Sequence, residues 1–433
     1  MNRQILRLAI PNIISNLTVP LLSSVDTALV GHLEQVSYLG AIAVGGMIFN
    51  FIYWGFGFLR MGTTGLTAQA FGRQNKILST LTLARALLVA AILGIIIITL
   101  QHVIIDASFM IVTATPDVEH NARIYFLIRI LAAPATLSLY VFTGWFLGMQ
   151  NARYPLILAV VTNCLNIGFN LLFIKVFKMH VNGVALGTVS ANYLGLMVAI
   201  WLFIRMYRSH VQFFNLAEIV NWPELRKFFV VNRDIFIRTL ALIFAFSFFT
   251  AKSSEAGEMI LAANTILINL WTVMSYGIDG FAFAAESLIG RYFGAGDSKN
   301  LKRAVSYSFY WGVGLGLIFS LVYIWWPEQI LNIFTDKDEV IALALQFAIW
   351  TMFAPVISSF CYIWDGIFIG ATASVALRNA MLICLICFYL PAYYLFQNTL
   401  QNHAMWLALT VFMLVRGISL TFLYRSQILA KAG

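Results

Sequence analysis

Five acids, Asp26, Asp234, Asp279, Glu286 and Asp365, stand inside long apolar stretches of this sequence. An ionised carboxylate at the centre of a bilayer costs about 2.5 to 3.5 kcal/mol on insertion scales, so an acid in that position is a functional hypothesis with fixed ion pairing as its bland alternative. Asp26 has no Lys or Arg nearby in sequence, which suits a group that loads and releases a proton; a hydrogen-bonded structural acid is the competing reading. Asp234 has Arg233 beside it and Arg238 one helical turn on, so an intrahelical ion pair and placement at a helix N-terminus account for it as a structural acid. Asp279 and Glu286, seven apart, share a helix face, with Arg291 in reach of Glu286. Asp365 precedes Gly366-x-x-x-Gly370 and could line a cleft or fasten two helices. Asn163, Asn166 and Asn170 fall on one face of a single apolar helix, and the next apolar stretch offers Thr188, Ser190 and Asn192 as partners. Together these residues predict a polar pocket built from Asn166, Asn170 and Thr188, although interhelical glue accounts for amides equally well.

The elements that position these groups follow from composition. With 61% hydrophobic and 10% charged residues over 433 positions and a mean hydropathy of +0.85, the chain has too little polar surface to coat a water-soluble core. A cytosolic enzyme, a nucleic-acid module and a disordered chain are excluded. The apolar runs are long and do not alternate, which predicts membrane-spanning helices and not barrel strands. Twelve are expected, near 5–31, 39–59, 80–105, 122–147, 154–177, 183–206, 232–254, 258–286, 303–327, 340–370, 374–396 and 403–425. Asp26 then lies roughly 30 Å along the first of them, in its outer half. Of the 27 Lys and Arg, 19 fall on the side of the N-terminus, five lie opposite and Arg129, Arg238 and Arg416 fall within spans. That asymmetry predicts cytoplasmic termini, and with no signal or transit segment in the chain it points to a bacterial inner membrane.

A repeat at an offset of 222 relates the two sides of the polar stretch 207–231. Gln69-Ala70-Phe71-Gly72-Arg73-Gln74-Asn75 corresponds to Arg291-Tyr292-Phe293-Gly294-Ala295-Gly296-Asp297, and Gly144 to Gly148 corresponds to Gly366 to Gly370. Ala133-Pro134 and Ala354-Pro355 match after a one-residue slip. The predicted architecture is therefore all-α and membrane-integral, with twelve transmembrane helices in two homologous six-helix bundles of like orientation around a central cleft. The expected lobes are 1–206 and 232–433, with 207–231 a cytoplasmic linker.

Other motifs fail. The six histidines fall in loops or at helix ends, the four cysteines in apolar runs, and no phosphate-cradling glycine pattern is present, so no metal, disulfide framework or nucleotide cofactor is expected. A membrane-embedded enzyme would need a nucleophile and a base at matching depth, which loop histidines and scattered hydroxyls do not supply. Paired bundles of like orientation are the plan of parallel-repeat transporters, and with no nucleotide site the energy for such transport would have to come from an ion gradient.

Val25-Asp26-Thr27-Ala28-Leu29-Val30-Gly31-His32, Arg233-Asp234-Ile235-Phe236-Ile237-Arg238-Thr239, Asp279-Gly280-Phe281-Ala282-Phe283-Ala284-Ala285-Glu286-Ser287 and Asp365-Gly366-Ile367-Phe368-Ile369-Gly370 resemble the multidrug and toxic compound extrusion (MATE) family, within it the DinF-like branch. The resemblance runs along nearly the whole chain. It implies two six-helix lobes that alternate between outward-open and inward-open states and export small amphipathic or cationic organic compounds in exchange for protons or sodium ions. It also implies a cation-coupling role for Asp26 and a helix bend at Pro11. The family usually places an acid four residues after the first asparagine of the fifth span; here that position is Asn170. An amide takes up no proton, so Asp26 would carry protonation alone, with Asn166, Asn170 and Thr188 as its hydrogen-bonding shell and Asp279 and Asp365 as secondary candidates. Sodium-coupled relatives carry an acid in the middle of the seventh span, which this chain lacks, so protons are favoured over sodium. Sodium antiport and a flippase for a lipid-linked precursor are the alternatives. No nucleic acid or obligate protein partner is expected.

Overall fold

The computed structural model describes the backbone of residues 1–30 and 36–431; the side chains of residues 19, 21–30 and 36 lie outside the described residues, and with them that of Asp26. All regular structure among the described residues is helical. In chain order the α-helices are α1 (Asn2–Val30), α2 (Val36–Gly55), α3 (Phe58–Gly72), α4 (Lys76–Thr99), α5 (Gln101–Ile111), α6 (Pro116–Arg129), α7 (Ala133–Gly148), α8 (Arg153–Leu171), α9 (Val181–Met206), α10 (Arg208–Val211) and α11 (Leu216–Ile219). They continue as α12 (Trp222–Glu255), α13 (Glu258–Gly294), α14 (Ser298–Trp325), α15 (Pro327–Leu331), α16 (Asp338–Gly370), α17 (Ser374–Ile383), α18 (Leu390–Leu400) and α19 (Asn402–Gln427). Eleven helical segments among the described residues are long and apolar enough to cross a membrane, and each expected span after the first falls on one of them. The first expected span falls on α1, which runs unbroken through Pro11. π-helical turns at Leu172–Val176 and Cys384–Tyr389 extend α8 and join α17 to α18.

The chain forms two compact units: residues 14–71 with 75–229, and residues 230–433 with 1–13 and 72–74. In the first unit the largest buried side chains are Trp145, Phe49, Phe126 and Phe146. In the second, Trp271, Trp406, Phe249, Tyr389 and Phe412 fill the core. Because lipid tails do not drive helices together as water does, close approach depends on small residues, and the glycines show where it occurs. A Cβ at Gly144 would overlap the carbonyl oxygen of Arg60, and one at Gly148 would lie 2.9 Å from that of Thr64. In the second unit a Cβ at Gly366 would overlap the carbonyl of Ala282, and one at Gly370 that of Glu286.

Both members of each of these contacts are related by the offset of 222, so the repeat holds for packing as well as for residue type. The prolines follow suit: Gly94 packs on Pro134 in one unit and Gly316 on Pro355 in the other. The helix starts match too. The side chain of Asn75 accepts from the Leu78 amide at 2.8 Å to cap α4, and that of Asp297 accepts from the Asn300 amide at 3.0 Å to cap α14. The Asn300 amide hydrogen bond, with a second from the Asn300 side chain, holds the Asp297 carboxyl below its usual range.

Candidate functional site

The three polar residues expected to form a pocket do come together, in the unit that contains α8 and α9. Asn166 and Asn170 are buried on the inner face of α8, one helical turn apart. Asn170 Nδ2 donates to Asn166 Oδ1 at 3.0 Å, and Asn166 Nδ2 donates to Thr188 Oγ1 at 3.0 Å. Thr188 donates onward to the Val184 carbonyl at 3.0 Å within α9. Gly187 gives the Asn170 amide its room, since a Cβ there would overlap Asn170 Oδ1. One turn further along α9, Asn192 donates to the Thr188 carbonyl at 2.8 Å and accepts from Thr136 of α7 at 3.3 Å. The result is a chain of neutral donors and acceptors across three helices, ending at the π-helical turn that follows α8. Such turns are frequent at functional sites.

The arginine within a span of this unit, Arg129, sits at the end of α6. Its guanidinium lies over the rings of Phe49 and Tyr125, 4.6 and 5.4 Å from their centroids, and Nη1 donates to the Tyr125 hydroxyl at 2.7 Å. Aromatic faces in a desolvated setting supply part of the stabilisation that water would give the cation. Asp26 belongs to α1 by its backbone, and its side chain lies outside the described residues. Pro11 is half-buried in the same helix, and the neighbouring Asn12 side chain donates to the Leu8 carbonyl at 2.8 Å.

In the other unit the acids are bound to arginines. Asp365 of α16 accepts through Oδ2 from Arg238 of α12 at 2.5 Å and from Arg416 of α19 at 3.2 Å. All three side chains are buried, and Arg416 also donates to Cys361 one turn before Asp365. Of the two roles open to Asp365, the geometry is that of a fastener joining three helices.

Asp234 is ion-paired as expected, through Arg233, and gains partners from outside its own helix. Its carboxylate accepts from Arg378 at 2.7 Å, from Ser374 at 3.1 Å and from Arg233 at 3.2 Å, while Arg238 turns to Asp365. Asp234 is fully buried against α17, so partners supplied by tertiary packing join Arg233 on its carboxylate. Asp279 is half-buried on α13, within electrostatic reach of the Tyr276 and Tyr362 hydroxyls.

Sequence spacing gave no hint of a third polar layer. Asn264 of α13 donates to Ser253 and to Asn402, both at 2.8 Å, and its carbonyl oxygen accepts from Asn402 at 3.1 Å and from the Trp406 indole at 2.9 Å. The residues involved are far apart in the chain, and only the fold unites them. Among the described residues no group of three or more His, Cys, Asp or Glu side chains is placed to hold a metal ion.

Comparison with known proteins gives these arrangements a context. The pattern of the MatE family matches residues 11–172 and 235–395. DNA damage-inducible protein F of Escherichia coli (strain K12) is 39% identical over 418 residues, which covers 96% of this chain and 91% of that protein. Multidrug and toxin extrusion protein 1 of Danio rerio is 25% identical over 378 residues, covering 85% of this chain and 62% of that protein. A crystal structure of MATE in the bent conformation superposes with a TM-score of 0.88 at 20% identity, over 99% of this chain and 96% of the other; at that identity it shows the fold.

Proposed function

The chain belongs to the MatE family, whose members are membrane transporters and not enzymes, and we propose that it exports small amphipathic or cationic organic compounds by proton-coupled antiport with Asp26 as the protonation site. Residues 1–206 and 232–433 act as the two lobes of an alternating-access cycle, and both termini face the cytoplasm of a bacterial inner membrane, as the distribution of Lys and Arg favours.

The observation that carries the reading is the commitment of two of the other acids, Asp365 and Asp234, to arginines. Asp365 is counter-ion to two buried arginines, and Asp234 to Arg378 and Arg233, so neither is available to a moving proton without leaving a guanidinium uncompensated. The α8–α9 cluster, built of amides and hydroxyls, has no carboxylate among its described members. Of the acids other than Asp365 and Asp234, Asp26 is the one whose sequence context resembles the family's cation-coupling residue, and the charge change is assigned to it. Protonated Asp26 favours a bent α1 around Pro11 and a collapsed pocket; the ionised form favours a pocket open to a cationic substrate, with Asn166, Asn170 and Thr188 as the adaptable shell. Proton and substrate therefore compete. The coupling is limited by the difference in proton affinity between the two conformations.

The test is efflux of a fluorescent organic cation from proteoliposomes under an imposed proton gradient or an imposed sodium gradient, for the wild type and for Asp26→Asn. Export driven by protons and lost in the variant is the expected result. Export that persists in Asp26→Asn removes Asp26 from the mechanism, and export driven by sodium alone moves the coupling elsewhere. If neither gradient moves the cation, the export reading gives way to lipid-precursor flipping.

A further inference from the structure

Between α9, which ends at Met206, and α12, which begins at Trp222, the chain is tied to a membrane-spanning helix at each end. Among the described residues, the contacts that hold the intervening segment to its own unit lie along one side. Arg85 of α4, itself buried, donates to the Glu218 carbonyl at 2.8 Å and lies 4.0 Å from the Glu224 carboxylate. His210 is buried edge-on against the rings of Trp145 and Tyr207, and Leu225 and Phe228 turn inward from the first turns of α12.

The other side is uncovered. Leu216 is 80% exposed and Trp222 66% exposed, and Val220 is exposed between them. Trp222, Arg226 and Phe229 follow the i, i+4, i+7 spacing that puts them on one face of α12, and all three are exposed. Arg208 is also exposed, whereas the acids of the segment are partly engaged: the Glu224 carboxylate accepts from Lys227 at 2.6 Å. At 34 residues, α12 measures roughly 51 Å, well beyond the about 30 Å of a hydrocarbon core, so its first turns extend into the headgroup layer.

We infer that residues 207–229 dock on the bilayer surface beside them, in a leaflet containing anionic phospholipid, with Leu216, Val220 and Trp222 entering the acyl boundary and Arg208 and Arg226 meeting lipid phosphates. Three observations favour a lipid surface over a protein partner. The segment is fixed at bilayer depth by the spans on either side of it. Tryptophan and arginine alternating along a helix face at that depth is the chemistry of an interfacial anchor. On the exposed side Arg208 and Arg226 outnumber Glu218, so the balance of charge is positive, and each basic side chain near an anionic surface contributes roughly a fivefold preference for it. Because Arg85 and His210 clip the segment to α4 and α7, a lipid grip on its outer face fixes how that unit rides in the membrane.

The experiment uses the full chain with the exposed Cys164 and Cys387 replaced by serine, a nitroxide attached through Leu216→Cys, and a solvent-facing control at Lys299→Cys. Power-saturation electron paramagnetic resonance in vesicles of phosphatidylglycerol and phosphatidylcholine, and in phosphatidylcholine alone, reads accessibility to oxygen and to a water-soluble nickel complex. The expected result is a label at 216 that is several-fold less open to nickel than the one at 299, open to oxygen, and deeper when phosphatidylglycerol is present. Arg208→Gln with Arg226→Gln should remove the dependence on phosphatidylglycerol without changing the yield of folded protein. Nickel access equal to that at 299 overturns the inference, as does a depth that ignores phosphatidylglycerol. Shielding from both reagents, with dipolar broadening, overturns it in favour of a second copy of the chain.

Discussion

In the unit containing α8 and α9 the polar layer that joins α7, α8 and α9 is neutral, with two asparagine amides, two threonine hydroxyls and Asn192 passing hydrogen bonds across three helices. The other unit repeats the same glycine, proline and cap devices and, beside its neutral Asn264 layer, holds a buried ion cluster that joins α12, α16 and α19 through Asp365, Arg238 and Arg416. Neutral groups in a low-dielectric interior can exchange partners at a cost of about 1 kcal/mol, while separating buried ions costs several. The backbone plan is therefore shared and the mobility of the interior is not. The ionic unit behaves as a tie, and the amide unit is the one in which a change of charge at a neighbouring acid can redirect hydrogen bonds. Positions 246–250, which stand in the second unit where Asp26 stands in the first, contain no acid.

The sharpest way to break this contrast is to cut the tie. Asp365→Ala leaves two buried guanidiniums without their counter-ion and should lower the unfolding free energy by about 3–5 kcal/mol, read as the largest fall in melting temperature of any variant considered. Replacing all three charged residues together by Leu and Met should restore most of that loss, because well-packed apolar side chains often match a buried ion network. A triple variant as unstable as the single one would mean that the cluster does more than neutralise itself. Next in size come the paired glycines. Gly144→Ala and Gly366→Ala each force apart a helix pair that meets through a backbone carbonyl, at about 1–3 kcal/mol, and the two should agree because the contacts are equivalent. A marked difference in melting temperature between them would break the equivalence of the repeats.

How far these features could be read beforehand depends on how local they are. Long apolar runs dictate helices because the bilayer leaves the backbone no other partner, and the offset of 222 located glycines and caps that proved equivalent in packing. Asn166, Asn170 and Thr188 were legible because they lie on consecutive helices and two of them are a turn apart. Asp365, Arg238 and Arg416 were not, since partners 127 and 51 positions away leave no periodic trace. Asp234 was legible in part: its neighbour Arg233 pairs with it, but the side chain points into the core, where Arg378 and Ser374 wait 144 and 140 positions away. The Asn264 layer was missed on the same ground.

Within the amide unit, Asn166→Leu removes a donor and an acceptor from the middle of the chain and should cost about 1–2 kcal/mol, less than the loss of Asp365. Transport should change more than stability does. If the melting temperature falls as far as in Asp365→Ala, the neutral cluster is as rigid as the ionic one and the contrast between the units fails.

The smallest effects come from the helix caps, and they separate the repeats by pH. Asn75→Ala should cost about 1 kcal/mol at any pH, because an amide does not titrate. Asp297 occupies the equivalent position with a carboxylate whose native pKa is depressed by the Asn300 amide and side-chain hydrogen bonds. A depressed acid contributes stability that is fully present above its unfolded pKa, about 3.9, and is lost as pH falls toward the native value. The excess protection that Asp297 gives the first turn of α14 over its Ala variant, measured by amide hydrogen exchange at constant temperature, should therefore hold from neutral pH down to about 4 and shrink below it. The difference between Asn75 and its Ala variant at α4 should stay flat over the same range. Equal pH dependence at the two sites would show that the α14 cap depends on the Asn300 side chain more than on the carboxylate charge, and Asn300→Ala would then reproduce the loss at neutral pH.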